Sequence, residues 1–592
     1  MKSNLTIALA AALLTACTPG KKEIVTTDAN CADVIKVNQV GYYPSQEKVA
    51  VIEADAFADS YSLVNAQTGE TVWTGSAVRE TTSEMSGKVR QIVDFSSVKE
   101  TGSYVLKAGN YAMNVEISEH PLRKVAVGAM KAFYLNRSGV EILAEYAGEE
   151  YARPAAHLDT EVLIHPSAAS KQRPEGTVIS SPFGWYDAGD FNKYIVNSGF
   201  STGLMLMAYQ MRPEHFASYS YNIPESGNAT PDYLDEIYFN LKWMLTMQDP
   251  NDGGVYHKLT VPSFEGFEMP ADCHKQRYVV QKTTAATLDF AAAMAQASRI
   301  YGQYEEYAEF SKTALEAAKK AWLWARKNPS IAYRQNEMNE KFDPDVTTGA
   351  YDDESFGDEF FWASSELYFA TGKRQYLNFA EGFVPKGDYT LPSWGNVNGL
   401  AIMAWLIEGT YGFSPETDLL AQRLQYKLIN YCDACLESVP SSCFQSPYGN
   451  TPSDFGWGCL SEMCCSRALS MLFAYRLTSE DKYLKGALQC ADYLFGRNAT
   501  GYCYVTGFGT KSPMHPHQRI SEADGVEAPL PGFLVGGPNP GQQDRATCPE
   551  YPSNVPDESY NDHMASYASN EIAINWNAAL AAMVSWLDAE IK

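Results

Sequence analysis

The stretch YVLKAGNYAMNVEISEHPLRKVAVGAMKAFYL, residues 104–135, changes hydrophobic period part-way along. Tyr104 to Lys107 is a short β-rich run, whereas beyond His120 apolar residues recur at the 3.6 spacing of a helix, starting near Leu122. On its N-terminal side lie further runs of the first kind, at Ile35 to Val37, Val49 to Ile52 and Ser60 to Val64, separated by turn clusters such as Ala66-Gln67-Thr68-Gly69. From Val34 to about Ser118 this pattern predicts an antiparallel β-sandwich. On the C-terminal side about a dozen segments have helical spacing, beginning near Leu122, Asn197, Pro231, Thr283, Tyr304, Asp358, Gln375, Val397, Thr417, Ser461, Asp481 and Asn570. Twelve helices with little strand between them suit six hairpins closing into an α/α barrel. Residues 140–196, 248–282 and 496–569 interrupt the helices and are rich in Gly, Pro, His and aromatics, and loops of such length in a compact domain usually carry function. The chain of 592 residues is too long for one ordinary core, which fits a small domain followed by a large one.

The formal net charge of -25 repels phosphate backbones and anionic head groups, so nucleic acid is excluded as a partner. A neutral polysaccharide is compatible with it, and 37 Tyr, 26 Phe and 11 Trp supply flat faces on which sugar rings stack. The first residues, MKSNLTIALAAALLTAC, read as an export signal whose Leu14-Thr15-Ala16-Cys17 resembles a bacterial lipobox. The expected organisation is a signal peptide over 1–17 with Cys17 lipidated, a linker over 18–32, the sandwich over 33–118 and the barrel over 119–592. Membrane contact is expected through the lipid anchor only, and Thr18 after the cysteine suits the outer membrane. Of twelve cysteines, Cys17 leaves an odd number behind, and an exported location permits disulfides. Cys432-x-x-Cys435 reads first as buried or bridged thiols, since no partner pair follows at zinc-finger spacing.

Three constellations carry chemistry. GWYDAGDFNKYI, residues 184–195, holds Asp187 and Asp190, with Gly189 between them allowing a tight turn that aims both at one point. As a bare pattern, two Asp three apart read first as a solvated loop or a helix cap. Hydrolysis with inversion, however, needs a carboxylate that takes a proton from the attacking water, and a second one nearby can hold that water's other hydrogen. YNDHMASYASNEIAINWNAAL, residues 560–580, places Glu571 at the start of an apolar helix among Tyr567, Asn570 and Trp576, surroundings that desolvate a carboxyl and raise its pKa toward that of a working acid. The plainer alternative is an acid favoured by the helix dipole. GFGTKSPMHPHQR, residues 507–519, fixes His517 and Arg519 after Pro516 as donors suited to sugar hydroxyls.

Together these segments resemble glycoside hydrolase family 9. Tyr560, Asp562, Tyr567, Glu571, Ala573, Asn577 and Ala578 fit its acid-bearing signature. Val505, Thr506, Gly509, Lys511, Pro516, His517 and Arg519 fit its His-bearing signature, with Cys503 where Ser, Thr or Val is usual. IKVNQVGYYPSQEKVAV, residues 35–51, looks like the start of the immunoglobulin-like module that precedes many members. The resemblance implies an immunoglobulin-like sandwich followed by an all-α (α/α)6 barrel. The implied activity is inverting hydrolysis of β-1,4-glucosidic linkages in cellulose, mixed-linkage glucan or xyloglucan, by endo action. It implies Asp190 as base, Asp187 as its partner, Glu571 as acid, His517 and Arg519 at the scissile sugar, and His257, Tyr351 and Trp457 along the glycone side. The chemistry requires no cofactor. A structural calcium is implied near Ser355, Asp358 and Glu359, whose oxygens suit a hard cation, although the same acids also read as a helix start. Two departures stand out: Ala156-His157 replaces the Cys-His pair of a structural zinc site, and Cys459-Leu460 replaces a Ser-Asn. The rival readings are an exo-acting β-glucosidase or glucosaminidase of the same fold, and a surface glycan-binding protein without catalysis. Oligomeric state is not written in the sequence.

Overall fold

The computed structural model describes residues 29–409 and 415–591; the signal peptide, Cys17 and most of the linker lie outside the described residues. The first domain is a sandwich of two four-stranded sheets. Its strands are β1 (Ile35–Lys36), β2 (Val49–Glu53), β3 (Tyr61–Asn65), β4 (Thr71–Gly75), β5 (Arg79–Thr82), β6 (Val89–Asp94), β7 (Gly102–Ala108) and β8 (Tyr111–Ile117). One sheet has the order β1-β2-β6-β5 and the other β4-β3-β7-β8, with every pairing antiparallel.

Strand β2, VAVIE, is buried on both faces, and its period of two explains why. Ala50 and Ile52 point into the sandwich core with Leu63, Leu106 and Met113, whereas Val49 and Val51 join the core of the helical domain. The β1-β2-β6-β5 sheet is thus the docking face. Polar bonds fix it there: Tyr43 Oη donates to Asp588 Oδ1 at 3.0 Å, Asn38 Nδ2 to Asp492 Oδ1 at 2.8 Å and Gln46 Nε2 to the same oxygen at 2.9 Å.

The second domain contains twelve long helices: α1 (Arg123–Leu135), α2 (Ile195–Met211), α3 (Asp232–Thr246), α4 (Thr284–Tyr301), α5 (Ala308–Lys327), α6 (Gly357–Thr371), α7 (Arg374–Phe383), α8 (Asn398–Gly409), α9 (Pro415–Glu437), α10 (Ser466–Thr478), α11 (Asp481–Leu494) and α12 (Ile574–Glu590). They form an (α/α)6 barrel. Helices α2, α4 and α12 are buried along nearly their whole length and belong to the inner ring, with α2 packed between α12 and α4 and α4 against α6. Helix α5 is outer: it buries one stripe, including Ala314, Ala318, Ala321 and Ala325, and turns its charged residues outward. Helix α10 is preceded by a π-helical turn, Leu460–Cys465.

Two of the long interruptions between helices are more ordered than their composition suggests. Short strands β9 (Val162–Ile164), β10 (Val178–Ile179), β11 (Lys193–Tyr194), β12 (Lys258–Thr260) and β13 (Tyr278–Val279) join 140–196 and 248–282 in one five-stranded sheet, order β10-β9-β13-β12-β11. All eleven described cysteines are unpaired and most are buried. No helix among the described residues is long and apolar enough to cross a membrane.

Candidate active site

The loop Asp187 to Asn192 closes on itself, Asp187 N donating to Asn192 O at 3.0 Å, and is pinned to the start of α12 by Ile574 N to Asp187 O at 2.8 Å. At its apex the Gly189 peptide bonds in both directions. Its N–H donates to Glu571 Oε1 at 3.3 Å, while its carbonyl accepts from Arg519 N at 3.1 Å and Arg519 Nη1 at 2.7 Å. Glycine is required by close approach, since a Cβ at position 189 would be driven into the carbonyl oxygen of His517. One residue therefore joins the Asp187/Asp190 loop to the Glu571 and His517 segments, which are far apart in the sequence.

Asp190 is buried, and among the described residues all its donors go to Oδ2: Asn192 Nδ2, Asn192 N at 3.4 Å and Tyr194 Oη at 3.2 Å. Oδ1 is left to solvent or substrate. Asp187 is held at both oxygens, by Asn197 Nδ2 at 2.8 Å and Tyr351 Oη at 2.6 Å. Burial first, then the charge of Asp190, pushes the Asp187 carboxyl up, against the pull of those two donors.

Glu571 does not open the helix, as the sequence suggests; α12 begins at Ile574, and Glu571 lies before it in an extended bridge with His517. Extended backbone there satisfies two neighbouring segments at once: His517 N donates to Asn570 O at 2.9 Å, Gly536 N to Glu571 O at 3.0 Å, and Val535 bridges Ile572. Burial, then the Asp190 charge, raises the Glu571 carboxyl to about 8, with Arg519 and the Gly189 amide opposing. The Glu571 carboxyl therefore keeps its proton at neutral pH, and the Gly189 amide that it accepts from immediately precedes Asp190, whose Oδ1 accepts no hydrogen bond among the described residues. The signature residues around it are its mount. Tyr560 Oη donates to Asn570 Oδ1 at 2.5 Å, Asn570 Nδ2 to Asp562 Oδ1 at 3.1 Å, and Asn577 Nδ2 ties α12 to Ala129 O at 2.7 Å.

Burial lowers His517 to about 4, so the ring is neutral; its Nδ1 donates to Met564 O at 2.6 Å, which leaves Nε2 as an acceptor. Arg519 spends its main donors on the backbone, Nε reaching Glu265 O at 3.0 Å, and so positions the loop. Trp457 is 44 % exposed beside Tyr567, with ring centroids 5.7 Å apart, and Tyr567 continues to His517 at 6.0 Å and His517 to Phe267 at 5.3 Å. This row of rings runs through His517, which bridges Glu571. Phe264 and Phe267 are 43 % and 38 % exposed, and nothing in the sequence distinguishes them beyond their place in the 248–282 insertion.

His257 has to be corrected. It is 1 % exposed, stacks on Tyr333, and engages both ring nitrogens internally, Nδ1 with Thr283 Oγ1 at 2.9 Å and Nε2 with Ala350 O at 2.7 Å. It serves by anchoring the Tyr351 segment, with no nitrogen left for a sugar. Tyr351 reaches the site through its bond to Asp187. Cys459 and Leu460 are both buried, and the Cys459 thiol faces the carbonyl of Pro538 at 3.3 Å.

The model of glycosyl hydrolase family 9 matches residues 123–584, and that of the cellulase N-terminal Ig-like domain matches residues 31–112. The chain belongs to glycosyl hydrolase family 9. It is 52 % identical over 578 residues to a xyloglucan-specific endo-β-1,4-glucanase of Bacteroides ovatus, covering 98 % of this chain and 96 % of that protein. It is 32 % identical over 553 residues to endoglucanase D of Acetivibrio thermocellus, covering 92 % and 82 %. Among solved structures, a Bacteroides ovatus family 9 protein superposes with a TM-score of 0.90 at 50 % identity, over 95 % of this chain and all of the other. A mutant thermostable endoglucanase from Alicyclobacillus acidocaldarius gives 0.82 at 29 % identity, over 94 % and 99 %.

A second group of acids lies between α4 and α6 of this family 9 barrel. Asp289, Asp353, Asp358 and Glu359 are all buried, and both oxygens of Asp289, Oδ2 of Asp353 and Oε2 of Glu359 have no hydrogen-bond partner. Burial, then the neighbouring carboxylates, pushes Asp289 and Glu359 well above their ordinary range. Uncompensated buried carboxylates are costly, so this donor set fits a hard divalent cation. Asp289 and Asp353 join Asp358 and Glu359 only through the fold. Ser355 is exposed and gives its amide to Asp353 Oδ1 at 2.7 Å. The group is looser than a closed shell, with no three of its ligand atoms within 4.8 Å of one another. At Ala156-His157, His157 Nδ1 pairs with Tyr186 Oη at 2.9 Å, and burial, then Arg277 and Lys193, holds the ring far from protonation.

Proposed function

We propose that this endo-β-1,4-glucanase works by single displacement, with Asp190 as base and Glu571 as acid, and that its preferred substrate is a xyloglucan. Water accepted by the free Oδ1 of Asp190 attacks the anomeric carbon. The bond to the leaving oxygen breaks as the Glu571 carboxyl protonates it, and the water's proton passes to Asp190. Asp187, fixed by Tyr351 and Asn197, orients the water and disfavours a second negative charge beside the base. The carrying observation is the Gly189 peptide, which bonds the acid at its N–H one residue before the base. The row Trp457, Tyr567, His517 and Phe267 offers faces for successive sugar rings.

The relative from Bacteroides ovatus supports the choice of xyloglucan. A panel of xyloglucan, mixed-linkage glucan and carboxymethyl cellulose tests it: kcat/KM is expected to be highest on xyloglucan, and a higher value on the undecorated glucans contradicts the assignment. Calcium, when bound by Asp289, Asp353, Asp358 and Glu359, would neutralise their charge and hold the loop bearing Tyr351. The chain is further proposed to be an outer-membrane lipoprotein anchored through Cys17. Palmitate labelling that persists in Cys17→Ser would rule that anchor out.

A further inference from the structure

We propose that Glu265, Glu268 and Cys273 bind a borderline-soft divalent transition-metal ion such as zinc, clipping the turn that carries Phe264 and Phe267 beside His517. One carboxylate oxygen from each Glu and the thiol sulfur lie within 4.8 Å of one another, and no other three His, Cys, Asp or Glu side chains among the described residues do so. Ligands around a tetrahedral zinc stand about 3.3 to 3.8 Å apart, so small side-chain rotations close the shell and leave a fourth position for water. The set of one thiol and two carboxylates is also softer than the all-oxygen group between α4 and α6, and favours zinc over calcium.

Independently of the clustering, Glu265 has an unsatisfied group. The residue is 9 % exposed; its Oε2 pairs with Lys275 Nζ at 3.0 Å, but Oε1 is buried without any partner. An orphaned carboxylate oxygen beside a buried thiol is a costly arrangement that a cation relieves. Burial, then Glu265 and Glu268, pushes the Cys273 thiol up to about 12, so without metal it keeps its proton. On binding, the sulfur–metal bond forms as the S–H proton leaves to solvent, one proton per ion.

The turn is joined to the catalytic machinery, since Arg519 Nε donates to Glu265 O and Phe267 meets the His517 ring edge-on. A metal here would order this aromatic turn without touching the reacting atoms.

The test is a cadmium titration of the full chain in excess calcium, which keeps the hard site filled. One equivalent is expected to give a thiolate-to-cadmium ultraviolet band with release of one proton, and zinc is expected to displace it. Cys273→Ser should lose the band while retaining glucanase activity, which also shows that it folds, and Glu268→Gln should bind at least tenfold more weakly. Zinc should slow hydrogen exchange over residues 262–277 in the parent only. No band, or an undiminished band in Cys273→Ser, overturns the proposal.

Discussion

Asp187, Asp190 and Glu571 around Gly189, and Asp289, Asp353, Asp358 and Glu359 between α4 and α6, are both gatherings of carboxyls shielded from water, yet their surroundings differ. Around Gly189 the protein supplies the donors: Asn192 and Tyr194 to Asp190, Asn197 and Tyr351 to Asp187, the Gly189 amide to Glu571. Between the helices four oxygens have none. Donors that belong to the fold prepare a carboxyl for proton transfer, whereas orphaned oxygens call for an ion from outside. The two groups are also linked, because Tyr351 precedes Asp353 by two residues and Asp353 N donates to Tyr351 O at 3.2 Å.

That contrast breaks most sharply at the reacting groups. Asp190→Ala and Glu571→Gln should each lower kcat by about 100- to 10,000-fold on xyloglucan with unchanged melting behaviour; a variant keeping most of its turnover would remove that residue from its role. Because the acid must carry its proton, kcat/KM should fall tenfold per pH unit once pH passes about 8, the raised value of Glu571. A flat profile up to pH 9 would contradict a proton-donating Glu571. Tyr351→Phe removes one donor from Asp187 and should cost up to about tenfold in kcat, the worth of one hydrogen bond; an unchanged kcat would make that bond incidental. Chelation with EGTA should leave the donors around Gly189 in place and act on the other group, lowering the melting temperature by a few degrees. The drop should vanish in Asp289→Asn, and an equal drop there would place the ion elsewhere.

Much of this is legible in the sequence, for reasons that differ by region. Outer helices such as α5 carry a clear period of 3.6, whereas the buried α12 and the strand β2, whose two faces enter different cores, stand out as apolar runs. The strands β9 to β13 do not, because runs of two or three residues hold only through partners distant in the sequence. Asp187, Asp190 and Glu571 are marked by the family signatures in which they sit, since their bare spacing reads first as a loop or a helix cap, and the structure joins them at Gly189. Glu571 reads as helical because the apolar run of α12 extends back to it, while bridges to His517 and Gly536 override that local preference. His257 reads as a sugar contact, since only the fold reveals that Thr283 and Ala350 occupy both nitrogens. Asp289 is the easiest residue to overlook, although a lone carboxylate within the apolar helix TLDFAAAMA is a signal that the sequence itself carries.

The stereochemistry of the first product tests the pairing of Asp190 with Glu571 most directly. Proton NMR recorded within the first turnovers on a β-1,4-glucan should show the α anomer of the new reducing end, decaying to the equilibrium mixture. Initial appearance of the β anomer would mean a double displacement through a covalent intermediate and would contradict water activation by Asp190.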